Sequence, residues 1–333
     1  MKTLHSTRLS AARINALLRT LALLCTALFV LPACADEALP SVPMHAVKVG
    51  AHSYYVQGQP GVADSTNMGF MSNAGFVVTS DGVVVIDALA TPALAKKLVL
   101  EIRKVTKQPI RRVILTHYHA DHIYGLQTFK ALGAEIWAQR AGTEYLASDV
   151  AKERMAQRRE ALFPWVDEHT QLVSADVWLD KDTSFKLGGI SFTLRHVGPA
   201  HSPEDLAIMV ENDGVLYAGD LAFRGRIPFV GDADSKAWIA GLDKLLVLKP
   251  KVMVPGHGAS SEHAATDLEF TRDYLTYLRK TMGKAAEEMV SFDEAYAQTD
   301  WSRYSGLPAF DEVNRRNAYN TYVLMEREGM QKP

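Results

Sequence analysis

The sequence is poor in cysteine. It has two cysteines among 333 residues, Cys25 and Cys34, and both fall within the first 35 positions. The remainder of the chain can therefore form no internal disulfide and can offer no thiolate to a metal ion. Any metal site in residues 36–333 must be built from histidine, carboxylate or neutral oxygen ligands.

The chain also lacks an excess of charge of either sign. Lys and Arg number 36 against 38 Asp and Glu, and the four cations of the first 35 residues have no acidic counterpart there. The rest of the chain is thus mildly acidic, which argues against nucleic acid as a partner. We predict a small-molecule substrate, and the sequence makes no prediction of oligomeric state. The sequence has neither a repeat nor a low-complexity stretch, and 47% hydrophobic residues suffice for a packed core.

The first 35 residues have the pattern of an export signal. An apolar run at residues 21–33 is shorter than the roughly 20 apolar residues of a permanent membrane span. It is preceded by the cations Lys2, Arg8, Arg13 and Arg19. We predict a signal peptide over residues 1–35, cleaved after Ala35, and a periplasmic or secreted protein without a transmembrane helix. The segment 31–34 also resembles a bacterial lipobox, so a lipid anchor at Cys34 is the alternative.

Strands and helices alternate along the rest of the chain. Asp81-Gly82 and Asp213-Gly214 each join two apolar runs, which predicts two β-hairpins. Strands are further expected at residues 45–57, 112–116, 190–197 and 251–254, and helices at 92–106, 122–132 and 235–248. A charged helix at 144–162 is expected to be a solvated surface element, and residues from 263 onward are expected to be helical. Two comparable halves of this kind suggest two sheets packed face to face with helices outside.

The segment 116–122, Thr-His-Tyr-His-Ala-Asp-His, carries the chemistry. It leaves a short buried strand and supplies four potential ligands in six residues: His117, His119, Asp121 and His122. A strand end followed by a tight loop can direct several side chains at one point. Imidazole and carboxylate without thiolate suit zinc, iron or manganese.

Three more candidate ligands lie downstream. His201, Asp220 and His257 each follow or close an apolar strand beside a glycine, which permits a sharp turn and a close backbone approach. Each alone is more often an ordinary loop residue, but together and in this order they predict one site.

The order H-x-H-x-D-H, glycine-flanked His, Gly-Asp and Gly-His resembles the metallo-β-lactamase fold superfamily over residues 46–260. The resemblance implies an α/β (α+β) fold, a four-layer αβ/βα sandwich, formed by residues 36–262 and followed by a helical extension at 263–333 packed on the same domain. It also implies that Asp220 bridges two metal ions. The first ion would be held by His117, His119 and His201, and the second by Asp121, His122 and His257. Asp87 closes another strand as the family's early strand-end aspartate does, which implies a structural group near the site; a simple turn residue is the alternative.

The chain departs from one subclass of zinc β-lactamases, which carries cysteine where this chain has Asp220. Its ligand set is closer to glyoxalase II and other binuclear hydrolases, although its helical tail lacks that family's basic glutathione-binding character. The tail segment 314–320 and the export signal look more like the periplasmic branch associated with quinoprotein or sulfur-oxidation systems.

The resemblance implies a zinc hydrolase with two Zn²⁺ per chain. Such a pair activates a bridging hydroxide that attacks an ester, thioester or amide carbonyl, and a β-lactam is one candidate amide. Asp121 would ligate one ion and orient this nucleophile as the catalytic residue. Two alternatives remain open: a mononuclear Fe²⁺ persulfide dioxygenase using His117, His201 and Asp220, and a metal-bearing accessory protein of a periplasmic redox system without turnover.

Expected substrate contacts are few. Met68, Phe70 and Met71 are interpreted either as an apolar flap over the site or as a loop that packs on the core. Arg224 and Arg226 follow Asp220 closely, so one of them could bind an anionic substrate. Solvated surface arginines are the simpler expectation.

Overall fold

The structure, a computed structural model, describes residues 41–231 and 233–331, so the predicted signal peptide and Cys34 lie outside the described residues. The described chain forms twelve strands. These are β1 (Ala46–Lys48), β2 (Ser53–Val56), β3 (Ala74–Thr79), β4 (Gly82–Ile86), β5 (Ile110–Ile114), β6 (Glu135–Gln139), β7 (Val177–Leu179), β8 (Thr183–Leu187), β9 (Ile190–His196), β10 (Leu206–Val210), β11 (Val215–Phe223) and β12 (Val252–His257).

Nine helices complete the described residues. They are α1 (Pro92–Val105), α2 (Ala120–Ile123), α3 (Leu126–Ala131), α4 (Gly142–Ala147), α5 (Asp149–Ala161), α6 (Ser235–Leu246), α7 (Ala264–Glu287), α8 (Phe292–Gln298) and α9 (Phe310–Met330). Of these helices, none combines the length and the apolar character needed to cross a membrane.

The strands form two sheets. The first has the order β1-β2-β3-β4-β5-β6-β7, antiparallel as far as β4 and parallel from β4 onward. The second has the order β12-β11-β10-β9-β8 and is antiparallel except for the parallel β11–β12 pair. Both predicted hairpins are confirmed, with Thr79 opposite Gly82 in the first and Val210 opposite Val215 in the second.

Alternate residues of the central strands face different cores, which shows the layer order. In β4, Val84 and Ile86 belong to the apolar cluster between the sheets, whereas Val83 and Val85 belong to the cluster under the helices α1 to α3. In the second sheet, β11 shares its outer cluster with residues of α6, α7 and α9. The predicted four-layer αβ/βα sandwich is therefore confirmed. The C-terminal helices share one core with the second sheet.

Several predicted elements are divided in the structure. The strand expected at residues 45–57 is the two short strands β1 and β2. The helix expected at 122–132 is interrupted at Gly125, where an added Cβ would lie 2.0 Å from the carbonyl oxygen of Ala88. The expectation of a single helix at 144–162 was wrong, because Ser148 has an extended backbone and caps α5.

Candidate metal centre

The segment between β5 and α2 is held on both sides by backbone hydrogen bonds. The carbonyl of Thr116 accepts a bond from the amide of Leu206 at 2.8 Å, which ties it to β10 of the second sheet. The carbonyl of His122 accepts a bond from Ala88, directly after β4. The loop therefore lies where the two sheets meet, at the carboxyl ends of the parallel strands β4 and β5.

Four of the predicted ligands form a first group of side chains, with one ligand atom of each within 4.8 Å of the others: His117, His119, His201 and Asp220. His201 Nε2 lies 2.9 Å from His119 Nδ1 and 3.4 Å from Asp220 Oδ2. His117 Nε2 lies 3.9 Å from the same carboxylate oxygen. Nitrogen and oxygen lone pairs thus converge on one small volume.

The other three predicted ligands, Asp121, His122 and His257, form a second group with the same spacing. Asp121 Oδ2 lies 3.6 Å from His122 Nε2 and 3.3 Å from His257 Nε2. Asp220 also reaches this group, since its Oδ1 is 3.2 Å from His122 Nε2 and its Oδ2 is 3.3 Å from His257 Nε2. The structure therefore brings all seven predicted ligands together and places Asp220 between the two groups. Which residue binds which ion stays a prediction.

Asp87 sets the tautomer of His122. Its Oδ2 accepts a 2.8 Å hydrogen bond from His122 Nδ1, so in the neutral imidazole the lone pair is on Nε2, the atom that faces Asp220. The same carboxylate accepts bonds from the amide and the hydroxyl of Thr116, both at 2.8 Å. Asp87 also has a φ of 61°, a conformation that aspartate tolerates better than most residues. It is thus a structural group at the site, one of the two readings left open by the sequence.

The tautomer of His117 follows from the same network. Thr116 has a single hydroxyl proton and donates it to Asp87, so its oxygen must accept the bond of 3.0 Å from His117 Nδ1. His117 Nε2 is then the free acceptor that faces Asp220. One carboxylate therefore orients a histidine in each ligand group.

The loop after β12 is fixed by two residues of the first half of the chain. His257 Nδ1 donates to the carbonyl of Met71 at 2.8 Å, which directs Nε2 at Asp121 and Asp220. Asn73 donates from its side-chain amide to the carbonyls of Pro255 and Gly258 at 2.7 and 2.8 Å. Asparagine can bridge two carbonyls in this way because its amide group carries two donors.

Glycines next to Asp220 provide the space that its side chain needs. Gly219 has a φ of 54°, and a Cβ there would lie 2.6 Å from Thr116 Cβ. A Cβ on Gly256 would lie 2.0 Å from Asp220 Oδ1. The Gly-Asp and Gly-His patterns of the sequence thus reflect the close approach of β11 and β12 at the site.

Burial and mutual repulsion keep the first-group histidines neutral. Burial, with the charges of neighbouring histidines, lowers the pKa of His117 well below its usual value, and burial lowers that of His201 to about 4. Burial also opposes the charge of His122, but Asp220 and Asp121 outweigh it and raise its pKa. Asp220 is likewise disfavoured by burial, yet His257 and His122 lower its pKa well below the usual range. Burial opposes the charge of Asp121 too, but His122 and His257 outweigh it and lower its pKa as well, so both carboxylates are ionised at neutral pH.

The residues present fit a metal centre. Four buried ligand atoms have no hydrogen-bond partner among the described residues: His117 Nε2, His122 Nε2, Asp121 Oδ2 and Asp220 Oδ1. An unpaired buried polar atom is costly, and four around one point are explained by cations between them. Imidazoles and ionised carboxylates are the donors that bind such cations, and an imidazole that is protonated without metal releases its proton when the cation binds.

Aromatic side chains cover the centre. The ring of Phe223 is stacked on His257 with centroids 5.2 Å apart, and Trp238 meets His201 at 5.1 Å. Phe229 lies 6.3 Å from His119. Trp238 is itself held by a hydrogen bond from its indole nitrogen to the carbonyl of Leu221. These rings exclude water from one side of the centre and orient the imidazoles by packing.

Only some of the residues that were expected to contact a substrate lie at the centre. Met68 and Phe70 are buried and pack on the core, which favours the core interpretation over a flap, and Met71 lies against the centre. Arg224 is bound to Asp267 and to the carbonyl of Ser260. Arg226, by contrast, is only 3% exposed. It lines a small cavity over the centre, together with His119, Asp121 and Asp220. The expectation that it is a solvated surface residue was wrong, because the loop after β11 folds inward.

Two arginines of this cavity were not predicted from the sequence, Arg154 and Arg158 of α5. The helix was expected to be solvated because its residues are strongly charged. Its buried residues Ala151 and Met155, however, share a face with both arginines at helical spacing. That spacing was the signal in the sequence that could have identified them.

The fold and the centre together define a protein with a hydrolase-like metallo-enzyme architecture. The model of the metallo-beta-lactamase superfamily matches residues 67–257. The chain therefore belongs to the metallo-beta-lactamase superfamily, and the predicted membership of that superfamily, whose relatives include hydrolases, is confirmed.

Similar proteins include enzymes with different substrates. The chain is 25% identical over 236 residues to a linear primary-alkylsulfatase of Pseudomonas sp., covering 60% of this chain and 44% of the relative. It is 27% identical over 212 residues to a type 2 metallo-beta-lactamase of Elizabethkingia meningoseptica, covering 62% and 76%. Among solved structures, a sec-alkylsulfatase from Pseudomonas sp. has a TM-score of 0.68 at 19% identity, covering 87% of this chain and 52% of that one. The chain thus spans less than half the length of the first relative, and the structural match concerns the fold alone.

Proposed function

We propose that the protein is an exported zinc-dependent hydrolase that holds two zinc ions and cleaves an ester, thioester or amide bond of a small molecule, with β-lactams among the candidate amides. The observation that carries the proposal is the pair of adjoining ligand groups with Asp220 between them. A complete second group is what a two-metal hydrolase requires and what a mononuclear site does not need.

The donor set supports zinc, since five imidazoles and two carboxylates without thiolate suit a borderline metal ion. Zinc bound by these residues would supply an acidified water as nucleophile near neutral pH and positive charge to stabilise a developing oxyanion. The ligand assignment proposed is His117, His119 and His201 for one ion, Asp121, His122 and His257 for the other, and Asp220 for both.

The protein's own contribution is orientation. The backbone carbonyl of Asp121 accepts a 2.6 Å hydrogen bond from the Ser72 hydroxyl, which fixes this residue at the start of α2. Its carboxylate points at His257 and keeps one oxygen without a hydrogen-bond partner among the described residues. Asp121 is therefore suited to position both a cation and the attacking water, the catalytic role proposed for it. The aromatic cover of Phe223, Phe229 and Trp238 lowers the local dielectric and strengthens these interactions.

Metal content tests the proposal. The protein purified without added metal should contain about two zinc ions per chain by elemental mass spectrometry, as expected for a two-metal site. It should hydrolyse at least one member of a panel of thioesters, lactones and β-lactams. His117→Ala should lose zinc and activity, whereas His169→Ala, at an exposed histidine distant in sequence from every ligand, should retain both. One iron per chain with little zinc would contradict the proposal and favour the persulfide dioxygenase.

Export is the second part of the proposal and is supported by the leader pattern of residues 1–35. Expression of the full chain in a Gram-negative host should give a periplasmic protein. Sequencing of its N-terminus should show cleavage after Ala35. A lipid-modified Cys34 at the new N-terminus would favour the anchored alternative, and an uncleaved cytoplasmic protein would contradict export.

A further inference from the structure

A small cavity lies directly over the proposed metal centre. It has a volume of about 140 Å³. Its lining combines ligand residues with three arginines, and the lining residues used below are His119, Asp121, Asp220, Arg154, Arg158 and Arg226. A guanidinium that lines the same small cavity as the centre is placed to contact what binds there. An arginine is free to do so only if its side chain has no other charged partner.

The side chains of Arg154 and Arg158 are not occupied by a partner among the described residues. They stand one turn apart on α5, both half-buried, on the face that also carries the buried Met155. Within residues 41–231 and 233–331, neither side chain makes an ion pair or a hydrogen bond, and Arg154 Nε is buried without a partner. A half-buried guanidinium without an anion is costly and indicates a ligand.

Arg226 approaches the cavity from the loop after β11. Its described hydrogen bonds go to two backbone carbonyls, those of Gly61 at 2.7 Å and Ile227 at 3.4 Å. No carboxylate of the described residues lies within ion-pair distance of it, whereas Arg224 nearby is paired with Asp267. Burial lowers the pKa of Arg226, and Asp220 and Asp121 act in the opposite direction.

The charges of the cavity therefore favour an anion. Three guanidinium groups face two carboxylates, and those carboxylates are already needed for the metal ions. The rest of the lining is apolar: Val62, Ala63, Met71, Phe223, Phe229 and Val313. Planar guanidinium groups bind carboxylate and sulfate oxygens through paired hydrogen bonds.

We propose that the substrate carries an oxyanionic group, a carboxylate or a sulfate, bound by Arg154 and Arg158 with Arg226 beside them. This inference rests on the proposed hydrolase function for the word substrate, but the anion site exists independently of turnover. Because the cavity is small, the anionic group and the bond to be cleaved lie within a few atoms of each other.

Binding provides the first test. Succinate and methyl sulfate serve as carboxylate and sulfate probes, and calorimetry measures their binding to the zinc-loaded protein and to protein treated with a chelator. At least one probe should bind, and Arg154→Gln/Arg158→Gln should weaken it by roughly 10- to 100-fold, the range for losing charge-assisted hydrogen bonds. Lys152→Gln, which removes an exposed charge from the same helix, should bind as the wild type does. Equal binding by wild type and the double variant, or no binding by either, overturns the inference.

Selectivity provides the second test. For p-nitrophenyl succinate against p-nitrophenyl butyrate, the wild type should prefer the anionic ester in kcat/KM, and the double variant should lose that preference mainly through KM. An equal preference in both proteins overturns the inference. Arginine-dependent binding of the probes without hydrolysis of any ester, thioester, lactone or β-lactam would contradict the hydrolase proposal while supporting the anion site, so the two failures are distinguishable.

Discussion

Replacing Asp87 with asparagine should weaken metal binding at both ligand groups, although Asp87 belongs to neither. Its carboxylate accepts three hydrogen bonds of 2.8 Å, from the Thr116 amide, the Thr116 hydroxyl and His122 Nδ1. Asparagine has the same shape but only one oxygen. If that oxygen keeps the Thr116 amide, the new amide group points its two protons at the other two partners.

Both partners can adjust, and the adjustment damages the site. His122 can accept from the new amide only if its proton moves to Nε2, the atom that lies 3.2 Å from Asp220. The Thr116 hydroxyl, now an acceptor on that side, must donate to His117 Nδ1, which transfers the proton of His117 to its Nε2 as well. Each histidine then presents N–H where a ligand needs a lone pair.

The two consequences differ in size. The lost charge-assisted hydrogen bonds should cost about 1.5–3 kcal/mol each, but the tautomer changes replace them with neutral bonds, so the metal-free variant should remain folded. Metal affinity should fall by roughly 10- to 100-fold, the usual effect of losing a group that orients a ligand. Asp81→Asn, at the opposite end of β4 and exposed, is the matched control and should bind metal as the wild type does.

Two measurements check this reasoning. Competition with a chromogenic chelator gives the affinity of each zinc ion. In the metal-free protein, ¹⁵N shifts of the imidazoles report the tautomers of His117 and His122, measured at a pH high enough to keep His122 neutral because its pKa is raised. A folded Asp87→Asn variant with wild-type affinity for both ions would refute the conclusion that Asp87 fixes the tautomers of His122 and His117. Lower metal affinity at the His122 group alone would refute only the step from Asp87 through Thr116 to His117.

Two further predictions concern Asp220 and His201. Gly256→Ala should displace Asp220, because the added Cβ would lie 2.0 Å from Asp220 Oδ1. Elemental analysis should therefore show less zinc in this variant than in the control Gly306→Ala, where nothing lies within 4 Å of the added carbon. Unchanged zinc content in Gly256→Ala would show that the site adapts. Burial lowers the pKa of His201 from 6.5 to about 4, so between these values the unfolded chain binds a proton that the folded chain does not. In the presence of a chelator, the free energy of unfolding of the wild type should therefore fall relative to that of His201→Gln as the pH falls from 6.5 to 4. Urea unfolding at several pH values measures this difference, and a difference that does not change with pH would contradict the prediction.

The predictions that held depend on local patterns with strict chemistry. The hairpin at Asp81-Gly82 follows from turn residues that few other conformations accept. The seven candidate ligands, whose metal binding stays a prediction, lie together because each closes or follows an apolar strand and the carboxyl ends of such strands meet at one edge of the sheets. The family resemblance supplied the layer order, which alternation of polar and apolar residues does not specify.

The predictions that failed concern residues whose sequence neighbours misrepresent their surroundings. Arg154 and Arg158 lie in a helix so rich in charge that a solvated surface is the natural interpretation, and only the packing of α5 turns one face toward the centre. Arg226 follows Asp220 at a distance that says nothing about burial. Its position depends on the Gly61 carbonyl, 165 residues away in the chain.

The sequence by itself determined the superfamily, the ligand types and the absence of thiolate ligands after residue 35, because these depend on residue identity and spacing along strands. The tertiary structure alone decided that Asp87 orients His122 and His117, and that three arginines share the cavity over the centre. Such contacts join segments far apart in the chain. Their energies arise from burial and hydrogen-bond geometry, which exist only once the two sheets have packed together.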